Sequence, residues 1–151
     1  MPAAGTIATV AGIAALCGTG PLDILLTNDD GAGAVGIRAL RAQLVAAGHR
    51  VTLVAPGHNA SGTSMGFDWG PVRVTRDPDD PAVFAVAGSP ATAVVLGASA
   101  LYPDGRRPVL VISGINHGPN RGSLLVLSGT VGAALAGTLL LDPPVPGFAV
   151  N

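Results

Sequence analysis

The stretch DILLTNDDGAGAVGIRALRAQLVAAGHRVTLVAP, residues 23–56, decides the fold. It opens on the apolar run Ile24-Leu25-Leu26, closed by Thr27 and a Gly-rich turn, which predicts a short buried strand. Ile37, Leu40, Leu44 and Val45 then recur at helical spacing over residues 35–47, and Gly48 is the expected stop. Residues 51–55 predict a second strand, ended by Pro56-Gly57. Strand, helix and strand in so few residues make a crossover unit, and a crossover implies parallel strands.

Working outward, residues 57–82 are rich in Gly, Pro and Asp and predict loop, with a strand at 72–75 that residues 83–87 join as a hairpin arm. Ser89-Pro90 opens a helix, Ser as N-cap and Pro at the first helical position, running to about Leu101. Residues 109–112 predict another buried strand, 113–123 a Gly/Asn loop, 130–141 an Ala/Leu-rich helix, and 147 onward a last strand. This order fits an open, mostly parallel α/β sheet over residues 22–151. Residues 1–21 are expected to be an apolar leader or a disordered segment. The run at 7–17 has the length of a signal core but no basic residue before it, and it is too short to span a bilayer.

Composition narrows the chemistry. All 8 basic residues are Arg and all 9 acidic residues are Asp, so no Lys or Glu is available for catalysis. A net charge of -1 supplies no field for a nucleic-acid polymer or an anionic membrane. One cysteine, Cys17, excludes an internal disulfide and any cysteine-based zinc site.

In parallel sheets, ligands sit outside the carboxyl ends of the strands. Three polar, Gly-containing loops follow predicted strands: Asn28-Asp29-Asp30-Gly31, His58-Asn59-Ala60-Ser61-Gly62, and Ser113 through Asn120. The adjacent carboxylates Asp29 and Asp30 repel, which a cation or local hydrogen bonds must offset. Carboxylate, amide and hydroxyl oxygens suit a hard cation such as Mg2+ or Mn2+, while an Asx turn that only satisfies the backbone is the competing explanation. Ser128-Gly129-Thr130 opens the next helix, whose free N–H groups make either an ordinary cap or a phosphate cradle. His49 is expected only to decorate the entry to the second strand, and no Ser/His/Asp triad is defensible. Phe67 and Trp69 are expected to be partly buried among the loops, with a base-stacking edge as the alternative.

These motifs, in this order, resemble those of the SurE (stationary-phase survival protein) phosphatases over about residues 22–150. The matching segments are Ile24 to Gly31 with Gly36-Ile37, Val54-Ala55-Pro56 leading to Ser61-Gly62, Ser113-Gly114-Ile115-Asn116 to Gly118-Pro119-Asn120, and Ser128 to Ala134. The resemblance implies a Rossmann-like three-layer α/β fold and a divalent-metal-dependent phosphomonoester hydrolase acting on nucleoside 5'- and 3'-monophosphates. It implies Asp29, Asp30, Ser61 and Asn116 as ligands of one Mg2+ or Mn2+, with Asp29 and Asp30 also catalytic. Asn120, Ser128, Gly129 and Thr130 would lie at the substrate phosphate. A cytoplasmic homo-oligomer is the family's expectation, with export as the alternative if the leader is a signal.

The chain departs from the family's pattern at Ser123, where an acidic residue is usual, at Thr92, often Asp, and at Leu127, often Tyr. Family members also continue past the strand at 147. Two other readings stand: a nucleotide- or phosphate-binding remnant without turnover, and the N-terminal domain of a sugar-nucleotide glycosyltransferase.

Overall fold

The computed structural model describes residues 20–151, so Cys17 and nearly all of the expected leader lie outside the described residues. Six strands form one sheet in the order β3-β4-β2-β1-β5-β6. They are β1 (Asp23–Thr27), β2 (Arg50–Pro56), β3 (Val74–Arg76), β4 (Val83–Val86), β5 (Leu110–Ser113) and β6 (Gly147–Ala149). All neighbouring pairs are parallel except β3 with β4, the predicted hairpin, where Val74 faces Val86.

Among the described residues three α-helices cover the sheet: α1 (Val35–Ala46), α2 (Pro90–Leu96) and α3 (Gly129–Leu139). Alternation along the strands sorts their side chains between two cores. Ile24, Leu26, Leu53 and Ile112 pack with Ile37 of α1 on one face. Leu25, Val54, Val86 and Val111 pack with Ala91, Ala93 and Val94 of α2 and Ala133 and Ala136 of α3 on the other. The result is the three-layer architecture that the family resemblance implied. The α2 segment continues as a wider π-turn, Gly97–Leu101, so the helical stretch ends where the sequence predicted. A Cβ at Gly97 would sit 2.7 Å from Leu25 Cδ1, which is why a small residue stands there.

The strand order positions the site. From β1 the chain moves through α1 to β2 on one side, then returns through α2 to β5 on β1's other side. The direction of winding therefore switches between β1 and β5, the place where open α/β sheets leave a crevice. Among the described residues no helix is long and apolar enough to cross a membrane.

Away from this edge, His49 Nδ1 accepts the Leu22 N–H at 3.2 Å, a structural role at the entry of β2. Arg50 donates from Nε to Asp23 Oδ1 at 2.9 Å, and this hydrogen bond holds the Asp23 carboxyl below the usual carboxylate range. Trp69 departs from the expected partial burial: it is 92% exposed and meets Phe67 edge to face at 5.1 Å. Its ring lines a shallow apolar pocket with Met65, Val95 and Leu140 without being covered by it.

Candidate metal centre

The three loops predicted to share one crevice do so, because β2, β1 and β5 are neighbours. Backbone bonds stitch them together: Ala60 N–H donates to Asp29 O at 2.7 Å, Ala32 N–H to Pro56 O at 2.8 Å, and Gly114 N–H to Thr27 O at 2.9 Å. Asn28, fully buried, shapes the first loop by exchanging hydrogen bonds with Gly31, donating to its carbonyl at 3.0 Å and accepting its N–H at 3.1 Å. Sequence reading treated Asn28 only as turn polarity; an Asx residue three positions before Gly was the available signal.

Asp29 is 3% exposed, and Oδ1 accepts a 2.6 Å hydrogen bond from Thr130 Oγ1. Its Oδ2 has no hydrogen-bond partner among the described residues. Asp30 faces the other side of the loop. Its Oδ2 accepts the His117 N–H at 2.8 Å, which ties the first loop to the third, and Oδ1 meets only a long 3.5 Å contact from Asn59 Nδ2. Neither carboxylate has an ion pair among the described residues; the ion pairs there join Arg38, Arg41, Arg50 and Arg106 to Asp77, Asp80, Asp23 and Asp104.

A cavity of about 320 Å³ opens here, lined by Asp29, Ser61, Asn116, His117, Asn120 and Ser128 among others. Beside it a second, of about 470 Å³, is lined by Asp30, Val35, Asn59, Ile115, Asn116 and His117. Asn116 and His117 form the wall between them. Three of the four predicted ligands thus face one cavity, and Asp30 faces its neighbour. Asn116 uses Nδ2 on Gly118 O at 2.8 Å, which leaves Oδ1 as its free acceptor. The Ser61 hydroxyl has no partner among the described residues, its N–H being held by Asn59 Oδ1 at 3.0 Å.

The predicted phosphate residues divide. Asn120 and Ser128 line the cavity, whereas Gly129 and Thr130 lie behind it, buried. Ser128 caps α3, its Oγ accepting from Val131 N–H at 3.1 Å, and the N–H groups of Gly129 and Thr130 have no acceptor among the described residues. Gly129 is a close approach: a Cβ there would be 2.7 Å from Asp29 Cβ and 3.1 Å from Thr63 Oγ1. The absent side chain lets the start of α3 rest directly against the carboxylate. Thr63, which sequence reading missed, packs in the same junction and donates to Ala60 O at 2.7 Å.

Carboxylate, amide and hydroxyl oxygens meeting at a buried, uncompensated Asp fit a hard divalent cation. No group of three or more His, Cys, Asp or Glu exists among the described residues, so an oxygen shell here would have to draw on Ser and Asn. Just before the two central loops, Thr27 and Ser113, paired in register, keep buried hydroxyls without a partner. The strand ends beneath the crevice are polar as well.

Comparison with known proteins decides the ancestry. The family model described as Survival protein SurE matches residues 24–150. The chain belongs to the SurE family. Similar SurE proteins include 5'-nucleotidase SurE of a Synechococcus strain, 46% identical over 136 residues, which are 87% of this chain and 49% of that protein. The 5'-nucleotidase SurE of a Prochlorococcus marinus strain is 45% identical over the same span. The crystal structure of the SurE protein from Aquifex aeolicus superposes with a TM-score of 0.69 at 40% identity, covering 78% of this chain and 46% of that one. The chain therefore spans about half the length of the SurE relatives it matches. SurE membership also removes the glycosyltransferase reading.

The three departures from the SurE pattern have identifiable settings. Ser123 is exposed in the short 3-10 turn Gly122–Val126, and Leu127, 56% exposed, borders the cavity. Thr92 is buried, and its hydroxyl donates to Asp68 Oδ2 at 2.9 Å. The same Asp68 oxygen accepts the Ser89 N–H at 2.7 Å, tying the loop after β2 to the start of α2. That backbone N–H, helped by Thr92, holds the Asp68 carboxyl below its ordinary value of 3.8 against the cost of desolvation. A carboxyl lowered on folding contributes stability above its unfolded value, and the contribution is lost as pH falls through the folded one. Asp68→Ala is therefore expected to lower the melting temperature at neutral pH, with the gap to wild type closing below pH 3.8. A gap of constant size across that range would exclude the charge as its cause.

Proposed function

We propose that this chain carries the cation- and phosphate-binding part of a divalent-metal-dependent phosphomonoester hydrolase acting on nucleoside 5'-monophosphates, with 3'-monophosphates as further substrates. The observation that carries the proposal is Asp29, a carboxylate 3% exposed, adjacent to a second carboxylate and without a cationic partner among the described residues. A buried charge left in that condition is costly unless something neutralises it.

Asp29, Asp30, Ser61 and Asn116 would hold Mg2+ or Mn2+ through oxygen alone. Such an ion, once bound, would polarise a phosphoryl oxygen and offset the charge developing on it. The residues supply the rest. The unpaired N–H groups of Gly129 and Thr130 at the start of α3 offer donors and a favourable dipole to phosphate oxygens. Asp30 retains Oδ1, held only by the long Asn59 contact, to orient or deprotonate an attacking water. The larger cavity across Asn116 and His117 has room for the nucleoside, with Val35, 85% exposed, as an apolar surface for it. A cytoplasmic homo-oligomer completes the proposal on family kinship alone.

Phosphate release from AMP by the full chain is the direct assay. Release is expected with Mn2+ or Mg2+, to vanish with EDTA and to return when the ion is restored. Release indifferent to EDTA would remove the metal from the reaction. Nucleotide binding without release would instead favour the remnant.

A further inference from the structure

We infer that Thr130 is a positioning residue that presents Asp29 to the cation as a one-oxygen ligand, and that Asn120 sets the direction of its hydroxyl. The inference rests on the metal reading of the site and assigns Thr130's side chain to Asp29 instead of to the phosphate.

The polarity of the contacts is forced. Thr130 Oγ1 lies 2.6 Å from Asp29 Oδ1 and 3.3 Å from Asn120 Nδ2. An ionised carboxylate has no proton to give, and a hydroxyl has one. Thr130 therefore donates to Asp29 and has only acceptor capacity left for its other neighbour. Asn120 must turn an N–H toward it, which fixes the orientation of an amide whose ends are otherwise alike. Nδ2 also donates to Asn151 Oδ1 at 2.9 Å, so neither N–H of Asn120 is left for phosphate.

The short hydrogen bond is charge-assisted and buried, with Thr130 at 0% exposure. Such bonds are roughly twice as strong as neutral ones. It occupies Oδ1 and leaves Oδ2 as the unpaired oxygen. The Cβ that Gly129 lacks would fall 3.0 Å from that same Oδ2. The first turn of α3 thus grips one carboxylate oxygen and keeps the space beside the other clear. Partners of this kind behind a metal ligand typically change affinity by about 10- to 100-fold.

Mn2+ affinity, measured by calorimetry on the full chain, tests the inference without requiring turnover. Thr130→Val is nearly isosteric and is expected to weaken binding by about tenfold or more, while Thr130→Ser stays within about threefold of wild type. Asn120→Leu leaves the hydroxyl in place but frees its direction, with an expected loss of about three- to tenfold; it also serves if the valine variant does not fold. Melting curves taken without metal separate packing from positioning. A valine variant that melts lower yet binds Mn2+ as tightly as wild type overturns the inference and leaves the metal site standing. Wild type that binds no Mn2+ overturns both.

Discussion

Asp29→Asn is expected to reduce phosphate release by about a thousandfold or more and to abolish measurable Mn2+ binding, while the metal-free protein melts at a higher temperature than wild type. The opposite signs come from one cause. The amide keeps the shape of the carboxylate and still offers an oxygen to the Thr130 hydroxyl, so the loop is not disturbed. What disappears is a negative charge, 3% exposed, beside Asp30 and without an ion pair among the described residues. Removing it relieves the apo fold, as at sites where stability is given up for function. It would also remove the most buried of the proposed ligands. Asp77→Asn, at an Asp held by Arg38 and the Asp79 N–H and lining neither cavity, is the control and should leave Mn2+ binding unchanged. An Asp29→Asn protein that binds Mn2+ normally, or melts lower without it, would contradict this account of the site.

The second large effect is expected at Gly132→Ala, where two rules give opposite signs. In the interior of α3, Ala is intrinsically better than Gly by about 1 kcal/mol. A Cβ at this position, however, would stand 2.1 Å from Ser64 O, 2.4 Å from Ser64 C and 2.6 Å from Met65 N. These are backbone atoms and cannot rotate aside. Nor can their loop withdraw easily: Ser64 N–H donates to Leu127 O at 3.0 Å and Ser64 Oγ to Val126 O at 2.7 Å. Steric cost should win, at about 2–3 kcal/mol net, or a fall in melting temperature of about 10 °C. Because the loop carries Ser61 and Thr63, Mn2+ affinity should fall with it. Thermal melts followed by circular dichroism decide the sign, and a melting temperature equal to or above wild type would show that α3 does not rest on this loop.

The order of elements was legible because residues 23–56 state their periods plainly, and the polar loops follow apolar strands without ambiguity. The acidic pair was legible as a repulsion that a cation or local hydrogen bonds must offset. The directions of side chains were not. Ser128-Gly129-Thr130 announces a helix start with free N–H groups, but nothing local says that the Thr130 hydroxyl points back to a carboxylate 101 positions earlier. The Asp68–Thr92 bond is hidden for the same reason, since it links an exposed loop to a buried helical residue 24 positions away. Trp69 misled because aromatic bulk usually signals burial, while here the ring only borders an open pocket with Val95 and Leu140 and stays 92% exposed.

The place of β1 beside β5, noted for the crevice it opens, also governs when that crevice comes into being. Ile24 lies next to Leu110 and Thr27 next to Ser113, so the two central loops meet only after the chain has closed most of its own length upon itself. Contacts that distant in sequence form late in folding. The cation would therefore find its full set of oxygens only in an almost native chain. Its stabilisation should then appear chiefly as slower unfolding, with the rate of refolding left nearly unchanged.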